Sequence, residues 1–196
     1  MPRPKTKSDG EVLDVALALI AERGPESLTF AALARESGLS AATLVQRFAN
    51  KAALAQRTLL HAWDRLDDAT RELDATAPPT PRGAIDLLIG LSEEHRDIEA
   101  YGNGLMLLRE DVRDPVLRER GAAWEVLLTA ALDRRFVSVP GAPAGVGYAL
   151  AAYWQGSLTW WAFRADRPLR DFLYEKLHEF IAMLGMSDTG ERDSSR

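Results

Sequence analysis

Residues 29–51 read TFAALARESGLSAATLVQRFANK, and this stretch decides the fold. Thr29 can cap a helix by accepting a hydrogen bond from an orphan backbone N–H of the first turn. Ala31, Ala32, Leu33 and Ala34 then form that helix, with Leu33 on its inner side. Gly38 stands where it must stop, because a left-handed backbone conformation costs glycine little. Leu39 is placed to bury itself under the turn. Ser40 can cap a second helix anchored by Leu44 and Phe48, with the small residues Ala41, Ala42 and Thr43 in its first turn. Small side chains there leave room for a phosphate or a base edge. Asn50 can cap a third helix that begins at Lys51. A cation is a poor partner for the positive end of a helix unless a phosphate lies there too.

A capped helix, a glycine turn and a second helix also describe an ordinary hairpin in a core. The basic flanks and the layout of the whole chain favour DNA binding. The pattern resembles the helix-turn-helix of the tetracycline-repressor (TetR) family of transcriptional regulators. The resemblance rests on Thr29, on Ala34 to Gly38 leading into the turn, on SAATL at 40–44, and on Phe48, Lys51 and Leu54. It extends to the chain as a whole: an N-terminal head followed by a longer helical body. Two positions depart from the family pattern. Val45 stands where an aromatic, most often Tyr, usually touches a phosphate, and Ala42 stands where Gly is frequent. Within the head, Thr29, Ser40, Thr43 and Lys51 are candidates for the DNA backbone. Ala41, Ala42 and Gln46 are candidates for bases, since Gln can pair bidentately with adenine and Ala methyls can touch thymine methyls. Val45 would replace a phosphate contact with an apolar one. Arg47 reads equally as a phosphate contact or as a solvated surface residue.

The formal net charge of the 196 residues is −5, but its distribution matters more than its sum. Arg3, Lys5 and Lys7 give the first seven residues +3; residues 29–57 carry another +3, which leaves −11 on the remainder. A positive head on an acidic body is expected if only the head meets phosphate. The basic N-terminal segment reads either as an arm reaching DNA or as a solubilising tail. Hydrophobic residues are 46% and charged residues 27%, ordinary for a globular protein. No apolar run approaches the roughly 18 residues of a membrane span. The opening MPRPKTKSDG lacks an apolar signal core, so a cytoplasmic location is expected. There is no cysteine, which excludes disulfides and thiolate metal sites.

The rest of the chain reads as all-α, with about nine helices. Ser8 and Glu11 form a capping box for the first, whose stripe is Leu13, Ala16, Leu17 and Ile20; Gly24 and Pro25 end it. A long fourth helix is expected from Lys51 to about Leu73, burying Leu54, Leu59, Leu60, Trp63 and Leu66 and turning Asp64, Asp67, Asp68 and Arg71 to water. The prolines of ATAPPT at 75–80 mark a boundary, with Pro81 at the first position of the next helix. Further helices are expected at about 81–96, 102–111, 115–136, 146–164 and 169–185, with a loop at 137–145. The expected divisions are a DNA-binding domain at 1–50, a connecting helix at 51–74, a ligand-binding and dimerisation domain at 81–186, and a disordered tail at 187–196.

The last two helices carry apolar residues on several faces, so one face can serve a partner. By the resemblance they form a four-helix dimer interface, here Tyr153, Gly156, Trp160, Phe172, Leu173, Leu177, Phe180, Ile181 and Leu184. The alternative is that both stripes close the protomer's own core. The resemblance also implies a cavity for a small effector. Tyr101, Leu105, Met106, Trp124, Leu128, Tyr148 and Gln155 could line it, and their apolar character suits a hydrophobic ligand; each could equally be core. The expected function is a homodimeric, ligand-responsive repressor reading a palindromic double-stranded operator, with no cofactor, no metal and no membrane. An enzyme is not expected. His61, His95 and His178 sit on separate helices, and no phosphate loop, nucleophile elbow or metal cluster appears. The alternative is a helical carrier or interaction module with a degenerate head.

Overall fold

The computed structural model describes residues 7–93 and 97–186. Arg3, Lys5, His95 and the expected disordered tail lie outside the described residues. Nine α-helices and no strand occur among the described residues: α1 Asp9–Arg23, α2 Phe30–Ser37, α3 Ala41–Phe48, α4 Lys51–Thr76, α5 Pro81–Leu91, α6 Ile98–Arg113, α7 Pro115–Asp133, α8 Val146–Arg164 and α9 Leu169–Met183. No described helix is long and apolar enough to cross a membrane.

Local chemistry sets most helix starts. The Ser8 hydroxyl accepts from the Glu11 N–H at 3.2 Å, and the Glu11 carboxylate accepts from the Ser8 N–H at 2.7 Å, closing the capping box of α1. Thr80 accepts from the Gly83 N–H at 3.2 Å, with Pro81 at the first helical position. One start differs from expectation. Helix α6 begins at Ile98, not 102, so Gly102, Asn103 and Gly104 lie inside it. The Asn103 amide donates to the Ala21 carbonyl near the C-terminus of α1 at 2.7 Å, which ties down a segment of weak helix formers.

The chain divides into two compact units, Met1–Arg65 with Glu99–Gly121, and Leu66–Ile98 with Ala122–Arg196. This division does not follow chain order, since residues 99–121 group with the head and α4 spans both units. The first unit has a core of Val12, Leu13, Ala16, Leu19, Ile20, Leu28, Leu33, Leu44, Phe48 and Leu54, with Leu39 and Leu107 partly buried against it. Leu17, expected in the α1 stripe, is only half-buried, and Val12 and Leu19 take its place. In the second unit α9 packs on α8 and α5. Two buried indoles there each donate to a hydroxyl, Trp124 to Thr70 of α4 at 3.0 Å and Trp154 to Ser92, the residue that caps the end of α5, at 2.9 Å. Asp67, expected to face water, is mostly covered and accepts from Arg71 at 3.0 Å.

Candidate nucleic-acid interface

The two short helices of the head are held in the expected way. Thr29 Oγ1 accepts from the Ala32 N–H at 3.1 Å, and Gly38 adopts φ 74°, ψ 10° at the end of α2. Ser40 Oγ accepts from the Thr43 N–H at 3.1 Å and lies 2.8 Å from Thr43 Oγ1. Only one of these two hydroxyls donates to the other, so one proton of the pair remains to donate outward. The Thr29 hydroxyl likewise accepts in its cap and keeps its own proton to give. Leu44 and Phe48 are buried in the core. Thr29, Ser40, Ala41, Ala42, Val45, Gln46 and Lys51 are exposed and Thr43 is half-buried. Ala41, Ala42, Val45 and Gln46 therefore form the face of α3 opposite its two anchors, at i, i+1, i+4 and i+5. That face has no charge and is small at its N-terminal end, which suits a groove floor.

The turn from α3 to α4 is unusually tight. Ala49 has φ 62°, ψ −63°, and the Asn50 N–H donates to the Phe48 carbonyl at 2.7 Å, which makes Ala49 the centre of a γ-turn. The positive φ is strained for a residue with a Cβ. Asn50 Oδ1 then accepts from the Ala53 N–H at 2.9 Å and caps α4, leaving Lys51 exposed at the first position of that helix. Ala49→Gly relieves the strain without altering any of these bonds. It is expected to stabilise the protein by about 1 kcal/mol, read from urea unfolding.

The head's cations are not equally available. Arg35 pairs with Glu36 at 3.1 Å, and Lys51 lies 3.5 Å from the exposed Glu26. Arg47 and Arg57 converge on Asp9 near the start of α1, at 3.5 and 2.9 Å. Arg47 also donates to the Lys7 carbonyl at 2.7 Å, and Arg57 donates to the Arg47 carbonyl at 3.3 Å while lying over the Phe48 ring. Sequence reasoning left Arg47 open; its side chain, 21% exposed, is engaged within the head. The contribution of Asp9 was missed, because the pairing spans 38 residues and carries no local signal. Further along α1, Asp14 accepts from His61 and Arg65 of α4 at 2.8 and 3.0 Å. The His61 hydrogen bond is the main reason the Asp14 carboxyl stays below its ordinary value.

The residues expected to line a ligand cavity differ in exposure. Tyr101, Trp124 and Leu128 are buried, the Trp124 N–H being engaged with Thr70, while Leu105, Met106, Tyr148 and Gln155 are exposed. Among the residues expected at a dimer interface, Leu173, Leu177 and Ile181 are buried in the protomer's own core, which corrects their assignment. Phe172 is also buried, although it forms part of the floor of an open groove of about 430 Å³ between α8 and α9. That groove is also lined by Tyr153, Gly156, Trp160, Arg164 and Lys176. Tyr153 stacks on Phe180 at 4.4 Å, and Leu184 is exposed. Among the described residues no group of three or more His, Asp or Glu side chains could hold a metal ion.

Residues 12–58, which span most of α1 through the first turns of α4, match the family model described as bacterial regulatory proteins, tetR family. No match is found among curated proteins. Solved structures match across nearly the whole chain. The TetR-family transcriptional regulator PfmR from Thermus thermophilus is 24% identical, with TM-score 0.55, over 92% of this chain and 99% of that one. A TetR-family regulator from Streptomyces coelicolor is 16% identical, with TM-score 0.67, over 88% of this chain and 78% of that one. A proposed transcriptional regulator from Saccharomonospora viridis, solved in complex with choline, is 19% identical, with TM-score 0.68, over 87% and 93%. At these identities the likeness establishes the fold. Residues 12–58 thus match the model of the tetR family of bacterial regulatory proteins, and the chain as a whole has the all-helical fold of the solved TetR-family transcriptional regulators.

Proposed function

We propose that the protein is a homodimeric, sequence-specific DNA-binding regulator, a repressor whose grip on a palindromic operator is released by a small molecule. The observation that carries the DNA reading is the uncharged, exposed face of α3, Ala41, Ala42, Val45 and Gln46, flanked by the outward hydroxyls of Thr29 and the Ser40–Thr43 pair and by Lys51. Backbone contacts from the flanks fix register, and Gln46 with the alanine methyls reads base edges. The test is selection of bound fragments from random duplexes. Wild type is expected to yield a two-fold symmetric motif, and Gln46→Ala the same motif with preference relaxed at one base pair of each half-site. Recovery of no motif by the wild type would leave the helical carrier as the better reading.

Dimerisation is supported by the outer face of α8. Trp160 is 63% exposed and Phe163 79%, and Met183 of α9 is also exposed. Gly156 sits inside α8, where glycine costs about 1 kcal/mol relative to alanine, yet a Cβ there would meet nothing within 4 Å in its own protomer. A second copy lying close against Gly156 accounts for both facts. Two heads about 34–36 Å apart then match successive half-sites. Trp160→Glu is expected to leave the protomer folded and to cost association about 2 kcal/mol or more, giving monomer in sedimentation velocity where wild type is dimer.

Release by an effector follows if the ligand prefers a conformation with the wrong half-site spacing. The choline complex of the S. viridis protein supports a small-molecule partner in this fold. By resemblance the effector would lie within the helical body that follows the head. A ligand that binds and leaves DNA affinity unchanged would argue against the switch.

A further inference from the structure

The Arg47 guanidinium is spent inside the head. It donates to the Lys7 carbonyl at 2.7 Å and faces Asp9 Oδ1 at 3.5 Å. Arg57 braces the same corner, reaching Asp9 Oδ2 at 2.9 Å and the Arg47 carbonyl at 3.3 Å. The residue after Lys7 is Ser8, the cap of α1, held by Glu11. The backbone on entering α1 is therefore fixed on one side by its own cap and on the other by the last turn of α3. Among the described residues Lys7 has no carboxylate within ion-pair distance, unlike Arg23, Arg35, Arg47, Lys51 and Arg57. Among the described residues of the head it is a cation with no carboxylate partner, and it is tethered through Arg47 one residue from the exposed Gln46.

We propose that Arg47 is a positioning residue: it holds the Lys7 backbone against the end of α3, so that the Lys7 ammonium meets a DNA phosphate beside the reading helix. The inference rests on the DNA-binding reading above. Arg47 itself touches no DNA in this account. Its two donations go to the protein, and its effect on binding passes entirely through Lys7.

The test is a double-mutant cycle on the full-length protein, with Lys7→Ala, Arg47→Met and both together. It is read by anisotropy against a labelled duplex of the DNA flanking the coding sequence and against an unrelated duplex of equal length, at several salt concentrations. Phosphate contacts do not depend on sequence, so the cycle can be read on either duplex. Each single change is expected to raise Kd about fivefold and to make the salt slope shallower by about one, and the double change to do no more than either. Multiplying effects, with the slope falling by two, would place Arg47 on a phosphate and overturn the proposal, as would an Arg47→Met protein with unchanged affinity. The DNA-free protein gives a separate reading: Lys7 and Ser8 amides should be ordered by ¹⁵N relaxation in wild type and mobile in Arg47→Met. Unchanged order overturns the tether whatever the DNA result. If Arg47→Met fails to fold, Arg47→Lys replaces it. That change keeps the charge on a shorter stem without the guanidinium fork, so loss of binding supports positioning and retention supports direct contact. Wild type that binds neither duplex defeats the DNA reading and this inference together, whereas binding without coupling defeats the inference alone.

Discussion

Phe48→Ala is expected to destabilise the head by about 4 kcal/mol, within the range for removing a buried aromatic. The ring is almost wholly buried at the end of α3, among Leu44, Leu54 and the apolar face of α1, and the Arg57 guanidinium lies 4.8 Å from its centre. Its removal leaves a cavity under the Ala49 γ-turn and takes away the surface on which Arg57 rests while bonding Asp9 and the Arg47 carbonyl. Hydrogen exchange should accelerate in α1, α2 and α3, and DNA affinity should fall with the fraction of folded head. A loss below about 1 kcal/mol would mean that the head does not depend on this core.

Asp74→Ala should cost about 3 kcal/mol in the second unit, the lower end of the range for removing one partner of a buried ion pair. Arg135 is 3% exposed, and its guanidinium bonds the Asp74 carboxylate at 2.7 Å together with the Asp74 and Ala77 carbonyls at 2.9 and 3.3 Å. Arg134 pairs with the other carboxylate oxygen. Without the carboxylate the buried guanidinium keeps only the Asp74, Ala77 and Ala131 carbonyls as partners. Burial alone would raise the Asp74 carboxyl, but hydrogen bonds from Arg135 and Arg134 outweigh it and hold the group below its ordinary value. The folded value is depressed, so this contribution is present above the ordinary carboxylate range and is lost as pH falls through the folded value. Asp74→Ala should therefore remove part of the acid sensitivity of unfolding, which urea titrations at neutral and acidic pH would record. Equal losses for wild type and variant on acidification would contradict this role.

The local devices of the head were legible because each has a short-range cause. Thr29, Ser40 and Asn50 cap within three residues, and Gly38 takes the left-handed conformation that only glycine adopts without strain. The start of α6 was misplaced because Gly102, Asn103 and Gly104 read locally as a loose helix entry, whereas the bond that steadies them reaches Ala21, 82 residues away. Apolar spacing showed that α9 buries a face, but not against what. Leu173, Leu177 and Ile181 face the protomer's own core, and the surface left over lies on α8 at Trp160 and Phe163. The fate of Arg47 was illegible for the same reason as the start of α6, since Asp9 and Lys7 are brought to it only by packing of α1 on the reading helices.

The central claim, that the exposed face of α3 reads DNA sequence, is tested most directly by titrating the purified protein against a labelled duplex of the DNA flanking its coding sequence. The titration is run at two salt concentrations with excess unrelated duplex present. The account predicts saturable binding that survives the competitor and weakens with salt, and that Gln46→Ala reduces the preference over the competitor without removing it. A wild-type protein that binds both duplexes equally, or whose preference is unchanged by Gln46→Ala, would contradict it.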